Sequence, residues 1–298
     1  MTTRAEVSIP TDRSYAEGPD VPMRIYVGTS DAEMVAVHVL EHTIRKHASR
    51  PVEFVPMRAP QPTPRKKEHR AATRFTFKRF MIPALAGYRG RALYMDSDMH
   101  VFGDMAELWR LPFGKHRVLC SVQLETPESW KNPDSHFHPG RHFAFMLLDC
   151  SRLDWDADEI VRGLDEGRYT YKALTKDLCI VPSDEIGETI PTEWNSLEKY
   201  VPGVTKNVHY TVIRTQPWRY EGNPLEDLWM SAYRETVASG KITLDMVLDA
   251  IEHRWVKPAM ADVFPGGREA RETLAFKMRT ARTRTLHAVR RAILGRGH

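Results

Sequence analysis

The sequence predicts an α/β fold with a mixed, mainly parallel sheet, followed by a helical C-terminal extension. Three observations carry this. Short apolar runs alternate with a helix-spaced run near the N-terminus. A third apolar run ends abruptly in paired carboxylates. From Leu225 onward the apolar spacing is helical throughout.

The elements follow in order. Residues 1–22, with Pro10, Gly18, Pro19 and Pro22, read as an irregular lead-in. Met23 to Val27 is an apolar run ending at Gly28, which predicts a buried strand. Met34, Val37, Val39, Leu40 and Ile44 predict a helix over 32–47, and Pro51 to Val55 a second strand. Strand, helix and strand in so short a span form a βαβ unit, and that connection makes the two strands parallel. Residues 56–70 hold four prolines and Arg65-Lys66-Lys67 and read as a loop. A helix is predicted over 75–86, interrupted near Pro83, and then a strand over 91–95. Strands are predicted at 118–122, 143–149 and 208–213, and helices at 157–167, 225–239, 243–254 and 268–294. These place one α/β domain over 23–222 and a helical extension over 223–298.

Composition narrows the function. Of the 298 residues, 42% are apolar and 28% charged, which argues for a folded globular chain. No apolar run approaches the ~18 residues of a membrane span, and the polar N-terminus lacks the apolar core of a signal peptide. Cys120, Cys150 and Cys179 are widely spaced with no C-x-x-C, so neither a disulfide framework nor a thiolate zinc site is expected. A cytoplasmic location follows. The net charge of +4 is uneven: Arg268 to His298 holds nine Lys/Arg against Glu269 and Glu272. Leu286, Val289 and Ile293 form an apolar stripe among those cations. This is the pattern of a helix packed on its domain, or of one docked peripherally on an anionic membrane face.

The sharpest local signal is Met95-Asp96-Ser97-Asp98-Met99. In extended chain, side chains at i and i+2 share a side. A parallel strand's C-terminal end is where open α/β sheets bind ligands. Asp96 and Asp98 together suit a divalent cation. The same residues also suit a polar turn after a strand.

The stretch from Phe77-Lys-Arg-Phe-Met-Ile-Pro83 to Arg91 and on through Asp96-Ser-Asp98 to Leu108 resembles the retaining glycosyltransferase family 8, which has the GT-A fold. Pro191-Thr-Glu-Trp-Asn195 and His209-Tyr-Thr211 with Pro217-Trp218 extend the resemblance over about residues 23 to 220. It implies transfer of a sugar from a nucleotide diphosphate, a UDP-sugar, to a glycan, lipid-linked or other hydroxyl acceptor. Asp96, Asp98 and His209 would hold Mn²⁺ or Mg²⁺, the imidazole favouring manganese. Gly28, Thr29 and Asp31 would meet the nucleoside, Arg79 the nucleotide or sugar phosphate, Ser97 the ribose, and Gln216 the diphosphate. Asp177 would lie nearest the anomeric carbon. Residues 56–70 and 125–141 would wall the acceptor.

Each residue has a plainer reading. His209 fits a strand-end histidine bonded to backbone, Arg79 a solvated helix residue, Asp31 a helix N-cap and Asp104 the cap of the turn at 105–109. The chain also departs from the family pattern. Phe143 to Leu147 lacks its Asn and Gly, Leu178 follows Asp177 where the family has an amide, Val212 replaces Gly, and Gln216 replaces Lys. A haloacid dehalogenase phosphatase is a rival, but His100 fills the place its motif gives to Thr or Val. A nucleic-acid binder is another. The basic tail fits phosphate, yet Phe276 is its one aromatic and no specific nucleic-acid motif is present.

Overall fold

The computed structural model describes residues 18, 20–71, 73–123 and 140–278. The chain divides into two compact units, Met1–Ile213 and Arg214–His298.

The first unit is built on a six-stranded sheet. Its strands are β1 (Met23–Gly28), β2 (Val52–Met57), β3 (Arg91–Asp96), β5 (Val118–Gln123), β6 (Gly140–Asp149) and β7 (Ile186–Gly187), in the order β2-β1-β3-β6-β5-β7. The pairs β1–β2, β1–β3 and β5–β7 are parallel, whereas β6 is antiparallel to both its neighbours. The βαβ expectation is met: α1 (Met34–His47) crosses between β1 and β2. Register sets Gly28 beside Asp96, so the loops leaving β1 and β3 are neighbours at one end of the sheet. A smaller sheet of β4 (Met99–Val101), β9 (Asn207–His209) and β8 (Ser196–Leu197) pairs Met99 with His209. That pairing brings the chain back to within reach of Asp98.

Both faces of the large sheet are covered by apolar clusters. One includes Phe77, Phe80, Tyr94, Met146 and Trp155, and the other Ile25, Val27, Leu40, Met95 and Phe145. Apolar surface removed from water on two faces is the main stabilising term for such a layered domain. In the second unit, α6 (Glu226–Ala238) and α7 (Leu244–Glu252) are followed by a helical stretch at 267–278. Trp218, Trp229 and Tyr233 stack within this unit, and the Tyr233 hydroxyl donates to the Met260 carbonyl at 2.9 Å.

Several expectations are corrected. The helix predicted over 75–86 is a 3-10 turn, Lys78–Met81, running into the single helical turn α2 (Ile82–Leu85). Pro83 sits in that helix's first turn, where a missing N–H costs nothing. The strand predicted over 208–213 stops at His209, and Ile213–Thr215 is a 3-10 turn. Asp31 caps no helix: it opens a 3-10 turn, and its carboxylate accepts from Arg58 Nε and Nη2 at 2.9 and 2.7 Å. Asp104 closes the turn at 105–109, its carboxylate accepting from Ala106 N at 3.0 Å, while Met105 holds the N-cap position of α3 (Ala106–Trp109). The proline loop is tied down by Asp165, whose carboxylate accepts from the backbone of Arg65 and Lys66. The acceptor-wall segment 125–141 lies outside the described residues up to Pro139, as does the tail stripe beyond Met278. Among the described residues no helix is long and apolar enough to cross a membrane.

Candidate metal and nucleotide site

The apolar run of β3 drives its middle into the core and leaves Asp96 at the strand's last position. A bend at Ser97 and Asp98 then feeds β4, and β9 delivers His209 alongside. One ligand atom from each of Asp96, Asp98 and His209 lies within 4.8 Å of the others. Two carboxylate oxygens and an imidazole nitrogen form a mixed O/N donor set that could hold a divalent cation.

The plainer reading of His209 does not hold. Its ring bonds to side chains: Nε2 lies 3.1 Å from Asp98 Oδ1, and Nδ1 lies 2.9 Å from Asn195 Oδ1. Asn195 presents its carbonyl to His209 and its amide to Ser121 Oγ and His142 Nδ1, both at 3.1 Å. With Nδ1–H donated to Asn195, the Nε2 lone pair is aimed at the cluster. This is how metal-binding imidazoles are commonly oriented. Burial works against a charged His209, but the Asp98 carboxylate outweighs it and raises its pKa above the usual histidine value.

Asp96 is shaped by its neighbours as strongly. Burial raises its pKa, the Arg79 guanidinium opposes that, and the Asp98 charge adds to it. The Tyr94 hydroxyl donates to Asp96 Oδ1 at 2.5 Å, and Arg79 Nη2 stands 3.8 Å from the same oxygen. Arg79 is no solvated helix residue. It is buried, its Nη1 donates to Phe143 O at 2.7 Å, its Nε to Thr76 O at 3.0 Å, and its guanidinium lies over the Tyr94 ring at 5.0 Å. Beside it, the buried Lys78 ammonium donates to Thr29 O at 2.8 Å and Met57 O at 2.5 Å, joining the ends of β1 and β2.

Gly28 is required for a reason not visible in the sequence. A Cβ there would stand 2.4 Å from the Tyr94 hydroxyl oxygen. Thr29 and Ser97 are fully buried beside this strand end, whereas Asp31 is solvent-exposed with its Arg58 partner. Asp177 follows α5 (Tyr171–Lys176) and lines a cavity of about 790 Å³ whose wall includes His142. Leu178 after it is buried with φ 50°, a left-handed conformation uncommon outside glycine. Gln216 is buried within the second unit.

Gly28, Arg79, Asp96, Asp98 and His209 are therefore gathered at one end of the sheet. Sequence reasoning missed Lys78, Tyr94 and His142, and quoted Asn195 only as part of a motif.

The fold is similar to that of solved transferases. One is the apo structure of the bifunctional glycosyltransferase WbbM, with TM-score 0.52 and 14% identity, covering 76% of this chain and 51% of that one. Another is the apo form of the glycosyltransferase GlyE from Streptococcus pneumoniae TIGR4, with TM-score 0.51 and 13% identity over 74% of this chain and 63% of that one. The chain thus spans about half to somewhat under two thirds of those structures. Residues 13–151 match glycosyl transferase family 8. Protein CDI of Arabidopsis thaliana is 30% identical over 234 residues, 72% of this chain and 87% of the plant protein.

The molecule is thus a glycosyltransferase with the GT-A fold. The chain belongs to glycosyltransferase family 8.

Proposed function

We propose that the chain transfers a sugar from a UDP-sugar to a hydroxyl acceptor with retention, in a reaction that depends on Mn²⁺ or Mg²⁺. The observation that carries this reading is the Asp96–Asp98–His209 cluster at the C-terminal end of β3, with its ligand atoms within 4.8 Å. A divalent cation bound there would stabilise the negative charge of the departing diphosphate.

The protein's own residues account for the rest. Asn195 holds the His209 ring so that Nε2 faces the two carboxylates. Tyr94 and Arg79 hold Asp96 in place, and a carboxylate ordered before the substrate arrives adds no reorganisation cost at the reaction. Lys78 fixes the backbone of Thr29, the residue proposed to meet the nucleoside, with Asp31 at the rim and Ser97 towards the ribose. Asp177 at the cavity wall is the proposed neighbour of the anomeric carbon. Gln216, where the family pattern has Lys, leaves the diphosphate charge without that cation. A glycan or lipid-linked acceptor, reached at the inner membrane face through the basic tail, completes the proposal.

The test is UDP release from UDP-glucose, UDP-galactose and UDP-N-acetylglucosamine with and without Mn²⁺. Metal-dependent release that Asp96→Asn or Asp98→Asn abolishes is expected. Release unchanged by both substitutions would overturn the assignment.

A further inference from the structure

We propose that the cavity at the start of β6 binds an anionic group carried by the sugar, a carboxylate or phosphate, through Lys172 and Lys176. The inference rests on the transferase reading and adds a substrate class to it.

The cavity lies at the right end of the sheet. Because β6 runs antiparallel to β3 and Phe145 pairs with Met95, His142 lies beyond the strand end that carries Asp96. Asn195 links His142 Nδ1 to His209 Nδ1, so one wall of the cavity is tied to the metal ligands. Its volume of about 790 Å³ suits a small-molecule ligand.

Its charge is unbalanced. Arg141 is committed to Glu188 at 2.8 Å and to Ser183. Lys172 and Lys176 line the same cavity one helical turn apart, and among the described residues neither has an ion pair or hydrogen bond. Like charges at i and i+4 repel one another along a helix. Among the described lining residues Asp177 is the single carboxylate, set against two ammonium groups. A concave site with surplus positive charge concentrates anions. Both lysines are exposed to solvent; the Asp96 carboxylate acts on Lys176 but Arg79 opposes it, and a neutral hexose would bring neither lysine a counter-charge.

Cys179 provides a reporter within the cavity. It is exposed, whereas Cys120 and Cys150 are fully buried, with thiols pushed by that burial up to about 12. Partial burial and the nearby Asp177 raise the Cys179 thiol as well, so exposure sets it apart, and a neutral alkylating agent at alkaline pH will mark Cys179 selectively. In the donor arm, UDP-glucuronate with Mn²⁺ is expected to bind about tenfold tighter than UDP-glucose and to slow alkylation of Cys179. In the acceptor arm, with UDP and Mn²⁺ present, methyl glucuronide or glucose 6-phosphate should protect Cys179 where methyl glucoside does not. A positive donor arm assigns the acid to the transferred sugar, and a positive acceptor arm assigns it to the accepting one. The preference should vanish in K172Q/K176Q.

Equal behaviour of acidic and neutral sugars in both arms overturns the proposal. So does a K172Q/K176Q loss that is as large for UDP alone, since the lysines would then serve the diphosphate. Should the double variant fail to fold, the wild-type comparison decides by itself. If UDP with Mn²⁺ does not bind at all, the transferase reading fails separately, and protection of Cys179 by the free acidic sugars still tests the cavity.

Discussion

Gly28→Ala is a single added methyl group at the centre of the site. Gly28 has no left-handed backbone to protect, so its requirement is one of space. The new Cβ would stand 2.4 Å from Tyr94 Oη and 3.1 Å from two ring carbons. Real Cβ contacts essentially never fall below 3.0 Å, so something must move. Tyr94 is fully buried in the core, so moving its ring disturbs neighbours packed against it. Overpacking of this kind costs about 1–3 kcal/mol. If the hydroxyl is pushed aside, the bond to Asp96 Oδ1 weakens as well, and a hydrogen bond to a charged partner is worth about 1.5–3 kcal/mol.

A total near the upper part of that first range is expected in urea unfolding, with weaker Mn²⁺ binding because Asp96 loses its support. The control is Tyr94→Phe, which removes the colliding oxygen. In that background the added methyl meets only the ring carbons at 3.1 Å, and should cost less than about 1 kcal/mol. The non-additivity isolates the contact. An equal cost of Gly28→Ala in both backgrounds would refute the reasoning, as would a Gly28→Ala protein as stable as wild type.

Two further outcomes follow from the cluster. Asn195→Leu should lower Mn²⁺ affinity by about 10- to 100-fold, the usual effect of removing an outer-shell partner, while UDP-free thermal stability checks that the fold survives; unchanged affinity would free His209 of its dependence on Asn195. The metal-free protein should gain stability from the protonated His209–Asp98 pair. With the folded pKa of His209 raised, that gain is fully present below the ordinary histidine value of about 6.5 and is lost as pH rises through the raised value. Unfolding followed across this window should show the loss in wild type but not in Asp98→Asn, and manganese affinity should fall as pH drops into it, because the ion must displace that proton.

The Asp-Ser-Asp pair could be read from sequence because its chemistry is local. A buried strand running into carboxylates at i and i+2 needs no distant partner to be noticed. His209 could be found only through the family pattern, because the β4–β9 pairing that brings it to Asp98 is a long-range contact. The stretch over 75–86 shows why periodicity misled. Phe77 and Phe80 are both buried, and an i, i+3 spacing satisfies a 3-10 turn as well as an α-helix.

Lys78 was unreadable, and Arg79 was named only through the family resemblance and not with its actual partners, for a deeper reason. Buried cations need partners, and a sequence search looks for acids. Here most partners are backbone carbonyls, of Thr29 and Met57 for Lys78 and of Thr76 and Phe143 for Arg79. Every residue type carries a carbonyl, so no pattern of side chains marks such a site. The same holds for Gly28, whose constraint comes from a hydroxyl on the neighbouring strand. The side chains proposed to hold the ion were therefore legible. The groups that position them were not, since they act through backbone atoms and strand register that only the folded chain supplies.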